Sequence, residues 1–191
     1  LEDRLADGAP LAGVTSVASF FLSRIDTHVD RMLDHTGDEA ARALRGQAAI
    51  ACARLAYQEY KALTADLRWQ MLAAHGVSPQ RLLWASTSTK DRAYHDLKYV
   101  EALIGPETVN TLTPETLAAY RDHGEPAKRL EEDLDMARAL PERLAALGVD
   151  LEAASAELEH QGIQKFIGSY DRLHAALGGR AATGSLPRCR W

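Results

Sequence analysis

Apolar positions first gather in the stretch Gly13 to Asp30, GVTSVASFFLSRIDTHVD. Val14, Val17, Phe20, Phe21 and Leu22 form a β-branched and aromatic run with Ser and Thr interleaved, the pattern of a buried strand, here expected over Val14–Leu22. A helix follows almost at once. Asp26 is a candidate N-cap for a short helix through Leu33, and Thr36, Gly37 and Asp38 interrupt the pattern. Ala49, Ala53, Ala56, Tyr60 and Leu63 then recur at helical spacing and predict one long helix over Glu39–Leu63. A further helix runs to His75, with Gly76 just past its end. A second strand is expected over Leu82–Ser86, a helix over Tyr94–Ile104 and a third strand over Thr108–Leu112. Thr113-Pro114-Glu115 opens the next helix with a capping residue and Pro at its first position. After Asp122–Pro126 (DHGEP), the clearest linker, only helical spacing remains: Leu130, Leu134, Ala137, Leu140, Leu144 and Leu147, then Ile163, Phe166, Tyr170, Leu173 and Leu177. Gly178-Gly179 is expected to stop the last helix.

Strands alternating with helices indicate a parallel sheet with helical crossovers. A closed (β/α)₈ barrel typically takes about 250 residues and eight strands. Three strands cannot close one, and they leave edges that invite pairing with another chain. The expected layout is a partial barrel over 1–125, helices packing on it over 126–180 and a loose tail over 181–191. Leu1 opens inside a helical pattern, which fits a fragment or a processed chain better than a natural start.

Composition narrows the class. The chain has 191 residues, 46% hydrophobic and 26% charged, with a formal net charge of −5. That balance is ordinary for a globular protein and leaves no electrostatic footprint for nucleic acid. No run of about 18 apolar residues predicts a membrane span. The N-terminus has neither the basic nor the apolar part of a signal peptide, and Cys52 and Cys189 make neither a disulfide framework nor a metal spacing. A cytoplasmic location is the expectation. The seven histidines show no ligand spacing such as His-x-x-x-His with a nearby Glu, and His28, His75 and His95 read as surface residues.

The residues that could carry chemistry gather at strand ends, where α/β folds bind ligands. Ser19 and Phe21 alternate onto one face of the first strand. Arg24 follows the strand with five donors suited to a phosphate dianion. From spacing alone, pairing of Arg24 with Asp26 or Asp30 is the simpler reading. Ser86, Thr87, Ser88, Thr89 and Lys90 follow the second strand and offer hydroxyl and backbone donors to an anion, or form an ordinary turn with Lys90 in solvent. Asn110, inside a β-branched strand, needs hydrogen-bond partners if buried.

Three stretches, SVASFFLSRIDTHVD, RLLWASTSTK from Arg81 and GPETVNTLTPETLAAYRDHG from Gly105, resemble the sixth, seventh and eighth strands of the transaldolase family in its long-chain bacterial type. The resemblance implies the C-terminal part of a (β/α)₈ barrel. It also implies transfer of a dihydroxyacetone unit from sedoheptulose 7-phosphate to glyceraldehyde 3-phosphate in the pentose phosphate pathway, through a lysine Schiff base. Arg24, Ser19 and Ser86 would bind the substrate phosphate, with Lys90 as nearest cation where the family carries a second arginine near Ser88. Phe21 and Ser88 would line the pocket, and Asn110 either joins that pocket or ties down the end of its strand. The family's nucleophilic lysine lies on a strand this chain does not carry, so no catalytic residue is assigned. Lys61, Lys98, Lys128 and Lys165 read as solvated surface charge. No metal or organic cofactor is implied. The expected partners are phosphorylated sugars and either the missing barrel half or a second chain, possible self-association included. A non-catalytic half-barrel that binds phosphosugars or mediates assembly is the competing reading.

Overall fold

The computed structural model describes residues 1–183 and contains three parallel strands among helices. In chain order these are α1 (Glu2–Ala6), β1 (Val17–Phe21), α2 (Leu22–Thr36), α3 (Glu39–Arg42), α4 (Ala48–Ala65), α5 (Leu67–Ala73), β2 (Arg81–Ala85), α6 (Lys98–Ala102), β3 (Thr108–Asn110), α7 (Pro114–His123), α8 (Leu134–Ala146) and α9 (Leu151–Thr183). The sheet order is β1-β2-β3, all parallel. An α/β fold with crossover helices is therefore present as the alternation predicts.

The described residues fall into two compact units, Leu1–Leu151 and the segment from Glu152. Helix α8 belongs to the first unit, beyond the expected boundary at 125. Its Ala137, Leu140 and Leu144 join Val29, Leu33, Ala41, Leu44 and Ala48 in one buried cluster, and Arg54 on α4 bonds to Asp133 and to the Arg129 carbonyl beside it. A second cluster lies under the sheet: Leu22, Ala49, Ala53, Tyr57, Trp84, Tyr99, Leu103 and Leu130. Phe20 meets Trp84 edge to face at 5.8 Å between ring centroids. Trp84 Nε1 donates to the Leu103 carbonyl, so the indole packs without an orphaned donor.

Register shows which strand faces carry this packing. Phe20, Trp84 and Asn110 are cross-strand partners on the helix-covered face, whereas Ser19, Leu83 and Val109 align on the other. Val17 and Ser19 are exposed. One face of the sheet is thus packed and the other is open, although parallel sheets ordinarily bury both.

Several boundaries differ from the sequence expectation. The first strand stops at Phe21, and α2 starts at Leu22, so Ser23, Arg24 and Asp26 are helical rather than a loop and a cap. The long helix expected over Glu39–Leu63 is two helices, α3 and α4, with a turn at Gly46. The apolar stripe of α4 is buried at Ala49 and Ala53 and emerges at Leu63. There Tyr60, Leu63, Trp69, Leu72 and Leu82 line a cavity of about 730 Å³. Helix α7 starts as predicted, with the Thr113 hydroxyl accepting from the Thr116 N–H and Pro114 in the first turn.

In the second unit, α9 continues through Gly178-Gly179 to Thr183, because glycine weakens a helix by only about 1 kcal/mol and does not by itself end one. Ile163, Phe166, Tyr170, Leu173 and Leu177 make its stripe, and all are exposed. Most of the expected tail, 184–191, lies outside the described residues.

Candidate functional site at the strand ends

Three loops meet beyond the C-terminal ends of the strands, and backbone hydrogen bonds tie them laterally. The Ser23 N–H donates to the Ser86 carbonyl at 3.1 Å. The Thr87 hydroxyl donates to the Thr111 carbonyl at 3.0 Å. Thr111 in turn donates its N–H and its hydroxyl to the Trp84 carbonyl, at 2.9 and 3.1 Å. Ser23 and Thr87 are buried. Ser86 sits at φ 55, a left-handed conformation that costs a non-glycine residue of the order of 1–2 kcal/mol. These bonds hold it there.

Arg24 occupies the first turn of α2, directly after β1. It is exposed, and its guanidinium carbon lies 4.7 Å over the Phe21 ring. Among the described residues it forms no ion pair. The simpler expectation, a pair with Asp26 or Asp30, does not occur because other groups occupy both carboxylates. No side chain caps α2; the Ser23 N–H is taken by the Ser86 carbonyl, but the start of the helix still presents the positive end of its dipole beside a cation, the arrangement that favours an anion.

Ser19 and Phe21 share the open face of the sheet, and Ser86 lies against the first turn of α2. The other candidates are elsewhere. Asn110 pairs in register with Trp84 and therefore points to the opposite, helix-covered face, where its Oδ1 is buried without a hydrogen-bond partner. Lys90 is exposed and lines a separate polar cavity of about 500 Å³ with Asp30, Arg31, Asp34, Arg45 and Tyr94. Ser88 is half-buried between them along the chain. Arg24, Ser19, Phe21 and Ser86 thus form one neighbourhood, and Lys90 and Asn110 lie apart from it.

Beneath this neighbourhood is a polar network that sequence reasoning missed. Asp26 Oδ1 accepts from the Ala49 N–H at 2.7 Å. Its Oδ2 accepts from Lys98 Nζ at 2.9 Å and from the Tyr99 hydroxyl at 2.8 Å. Asp30 accepts from the Gly46 N–H at 2.7 Å and from the Tyr94 hydroxyl at 2.5 Å. Helix α4 has no side-chain cap of its own. Asp26 supplies one from α2, a tertiary cap in place of the local one expected of it. Lys98, expected as surface charge, is enclosed: its Nζ lies 3.7 Å from the Tyr94 ring centroid and 4.9 Å from that of Tyr99. Burial raises the Asp30 pKa above the usual carboxylate range, against the Tyr94 and Gly46 hydrogen bonds that lower it. Burial and the Asp30 carboxylate raise the Tyr94 hydroxyl pKa. The visible signal was two aspartates, 26 and 30, set one turn apart among the apolar positions of α2.

Gly46 closes the network. It has φ +70, and a Cβ there would overlap Lys98 Nζ and stand 2.7 Å from Tyr94 Cζ. Gly46→Ala therefore combines a left-handed alanine with a steric clash and should lower unfolding free energy by about 2–4 kcal/mol. Gly76→Ala, at φ +80 with nothing within 4 Å, should cost only the backbone term, about 1–2 kcal/mol. Urea midpoints of the two variants check this, and equal shifts would disprove the clash.

Residues 5–177 match the sequence model of transaldolase/fructose-6-phosphate aldolase. The chain belongs to this family. It is 50% identical over 178 residues to the transaldolase of Thiobacillus denitrificans, covering 93% of this chain and 50% of that protein. Transaldolase 2 of Nostoc punctiforme is 46% identical, with 93% and 49% covered. The transaldolase of Frankia alni is 45% identical, with 96% and 50% covered. The chain spans about half the length of the curated relatives it matches. No helix among the described residues is long and apolar enough to cross a membrane.

Proposed function

We propose that this chain supplies the phosphate-binding part of a cytosolic transaldolase. That enzyme moves a dihydroxyacetone unit from sedoheptulose 7-phosphate to glyceraldehyde 3-phosphate. The observation that carries the reading is Arg24: a guanidinium without an ion-pair partner among the described residues, at an uncapped helix start after a parallel strand, in a chain of this family. Ser19 and Ser86 complete the phosphate end of the pocket, with Phe21 as its wall. The covalent step needs an amine that attacks the ketose carbonyl, loses water to an iminium and draws electrons from the breaking carbon–carbon bond. The described lysines are poorly placed for it. Lys98 is engaged by Asp26, Lys61 pairs with Glu131, Lys128 is exposed in the segment between α7 and α8, Lys165 is exposed on α9, and Lys90 is exposed beside the polar cavity. The nucleophile belongs to the other half of the barrel.

Borohydride reduction in the presence of fructose 6-phosphate tests this. The 191-residue chain alone should show no adduct by intact mass, and mixing with the matching N-terminal half of a relative should place a three-carbon adduct on that half. An adduct on this chain, lost in Lys90→Ala, would overturn the assignment. The open sheet face and the unpaired edges of β1 and β3 favour a second reading for the isolated chain, an assembly piece. Under it, size-exclusion chromatography shows self-association that the N-terminal half displaces.

A further inference from the structure

The structure brings together His95 and Asp96, in the loop before α6, and His123, in the last turn of α7. His123 Nε2 stands 3.2 Å from Asp96 Oδ1, and His95 Nε2 stands 3.7 Å from the same oxygen. The three ligand atoms lie within 4.8 Å of one another. Two ligands about 2.1 Å from a tetrahedral ion are about 3.4 Å apart, so the two measured spacings bracket what a zinc-class cation requires. The two imidazoles meet edge to face at 5.8 Å, and both are exposed.

The surroundings also match a metal site. Asp122 Oδ2 lies 3.2 Å from His123 Nδ1. A carboxylate that accepts from Nδ1–H leaves the Nε2 lone pair for a metal and fixes the ring, the arrangement found behind metal-bound histidines. His95 Nδ1 accepts from the Leu97 N–H at 3.3 Å. Ligation through Nε2 moves the His95 proton to Nδ1 and gives up that long contact, a small loss.

We propose that His95, Asp96 and His123 form a site for a divalent transition-metal cation of the zinc, cobalt or nickel class, with Asp122 orienting His123 and water completing the coordination. Two imidazoles and one carboxylate select these ions over magnesium or calcium, which take oxygen donors. The site is remote in sequence from Arg24 and needs no role in catalysis. It clamps the 91–97 loop, which carries Tyr94, to the end of α7.

Cobalt titration of the full chain, followed by visible absorption and calorimetry, tests the proposal. Cobalt should bind at one equivalent, give the intense visible bands of a four-coordinate ion and be displaced by zinc. Zinc should raise the melting temperature, and a chelator should reverse the rise. His95→Ala and His123→Ala should each abolish the visible bands, and Asp122→Asn should weaken binding about 10-fold or more. All these side chains are exposed, so the variants should keep the wild-type circular dichroism. His75→Ala and His160→Ala, both at exposed histidines, should bind as wild type. Absence of binding at one equivalent, retention of the bands in His95→Ala and His123→Ala, or equal loss in the His75 and His160 variants would overturn the site.

Discussion

Asp26→Ala should lower the unfolding free energy by about 3–5 kcal/mol, the cost of removing one partner of a buried ion pair and leaving the other charge unmatched. The Asp26 side chain is 1% exposed and that of Lys98 15%. Three donors lose their acceptor at once: the Lys98 ammonium, the Tyr99 hydroxyl and the Ala49 N–H. Asp26→Asn should recover little, since its amide nitrogen would face an ammonium. Asp26→Asn/Lys98→Met should recover more than either single change predicts, because the double variant buries no lone charge. Asp30→Asn is the internal control. Burial raises the Asp30 pKa, so the stability it lends is full below the ordinary carboxylate range and falls as pH rises through its raised value. An amide removes that penalty and can still accept from Gly46, so the change at neutral pH should stay within about 1 kcal/mol. Denaturant unfolding measures all four variants. A cost below about 1 kcal/mol for Asp26→Ala would mean that the network is not what joins α2, α4 and α6.

The same residues show what a linear reading can and cannot reach. The order of strands and helices is visible because apolar spacing is local: Phe20, Phe21 and Trp84 mark strands, and Thr113-Pro114 marks the start of α7. The alternation that puts Ser19 and Phe21 on one face is local too. Arg24 could be singled out for its place after a strand, but not separated from an ion pair with Asp26. That separation rests on Lys98, 72 residues beyond Asp26 in sequence, and on Tyr94 and Tyr99. Long-range polar partners leave no periodic trace. The turn at Gly46 was hidden for a different reason: the alanines on either side continue a helical pattern. Asn110 shows a finer limit. It lies within a strand as expected, but strand pairing sets its face, and the register with Trp84 turns it away from Ser19. The family was legible because three motifs held their order, and the family model bears it out across residues 5–177.

Arg24→Ala should be the single change within this chain most damaging to substrate use once the chain is joined to the matching N-terminal half of a relative and turnover is measurable. Charge-assisted hydrogen bonds to a phosphate are worth about 2–3 kcal/mol, so kcat/KM for fructose 6-phosphate should fall about 30- to 150-fold. Arg24→Lys should restore only part of the loss. An ammonium keeps the charge but lacks the planar fork, and it stacks less well on the Phe21 ring, which now lies 4.7 Å from the guanidinium carbon. The effect should follow the phosphate. With unphosphorylated fructose, wild type and Arg24→Ala should turn over equally slowly, because the missing interaction has no partner on that substrate. Lys90→Ala should cost less than Arg24→Ala, since Lys90 lines the cavity beside Asp30, Asp34 and Arg45 rather than the strand-end neighbourhood. The reverse order would move the phosphate to that second cavity. A loss of equal size on fructose and on its phosphate would make Arg24 a residue that shapes the pocket without binding the phosphate.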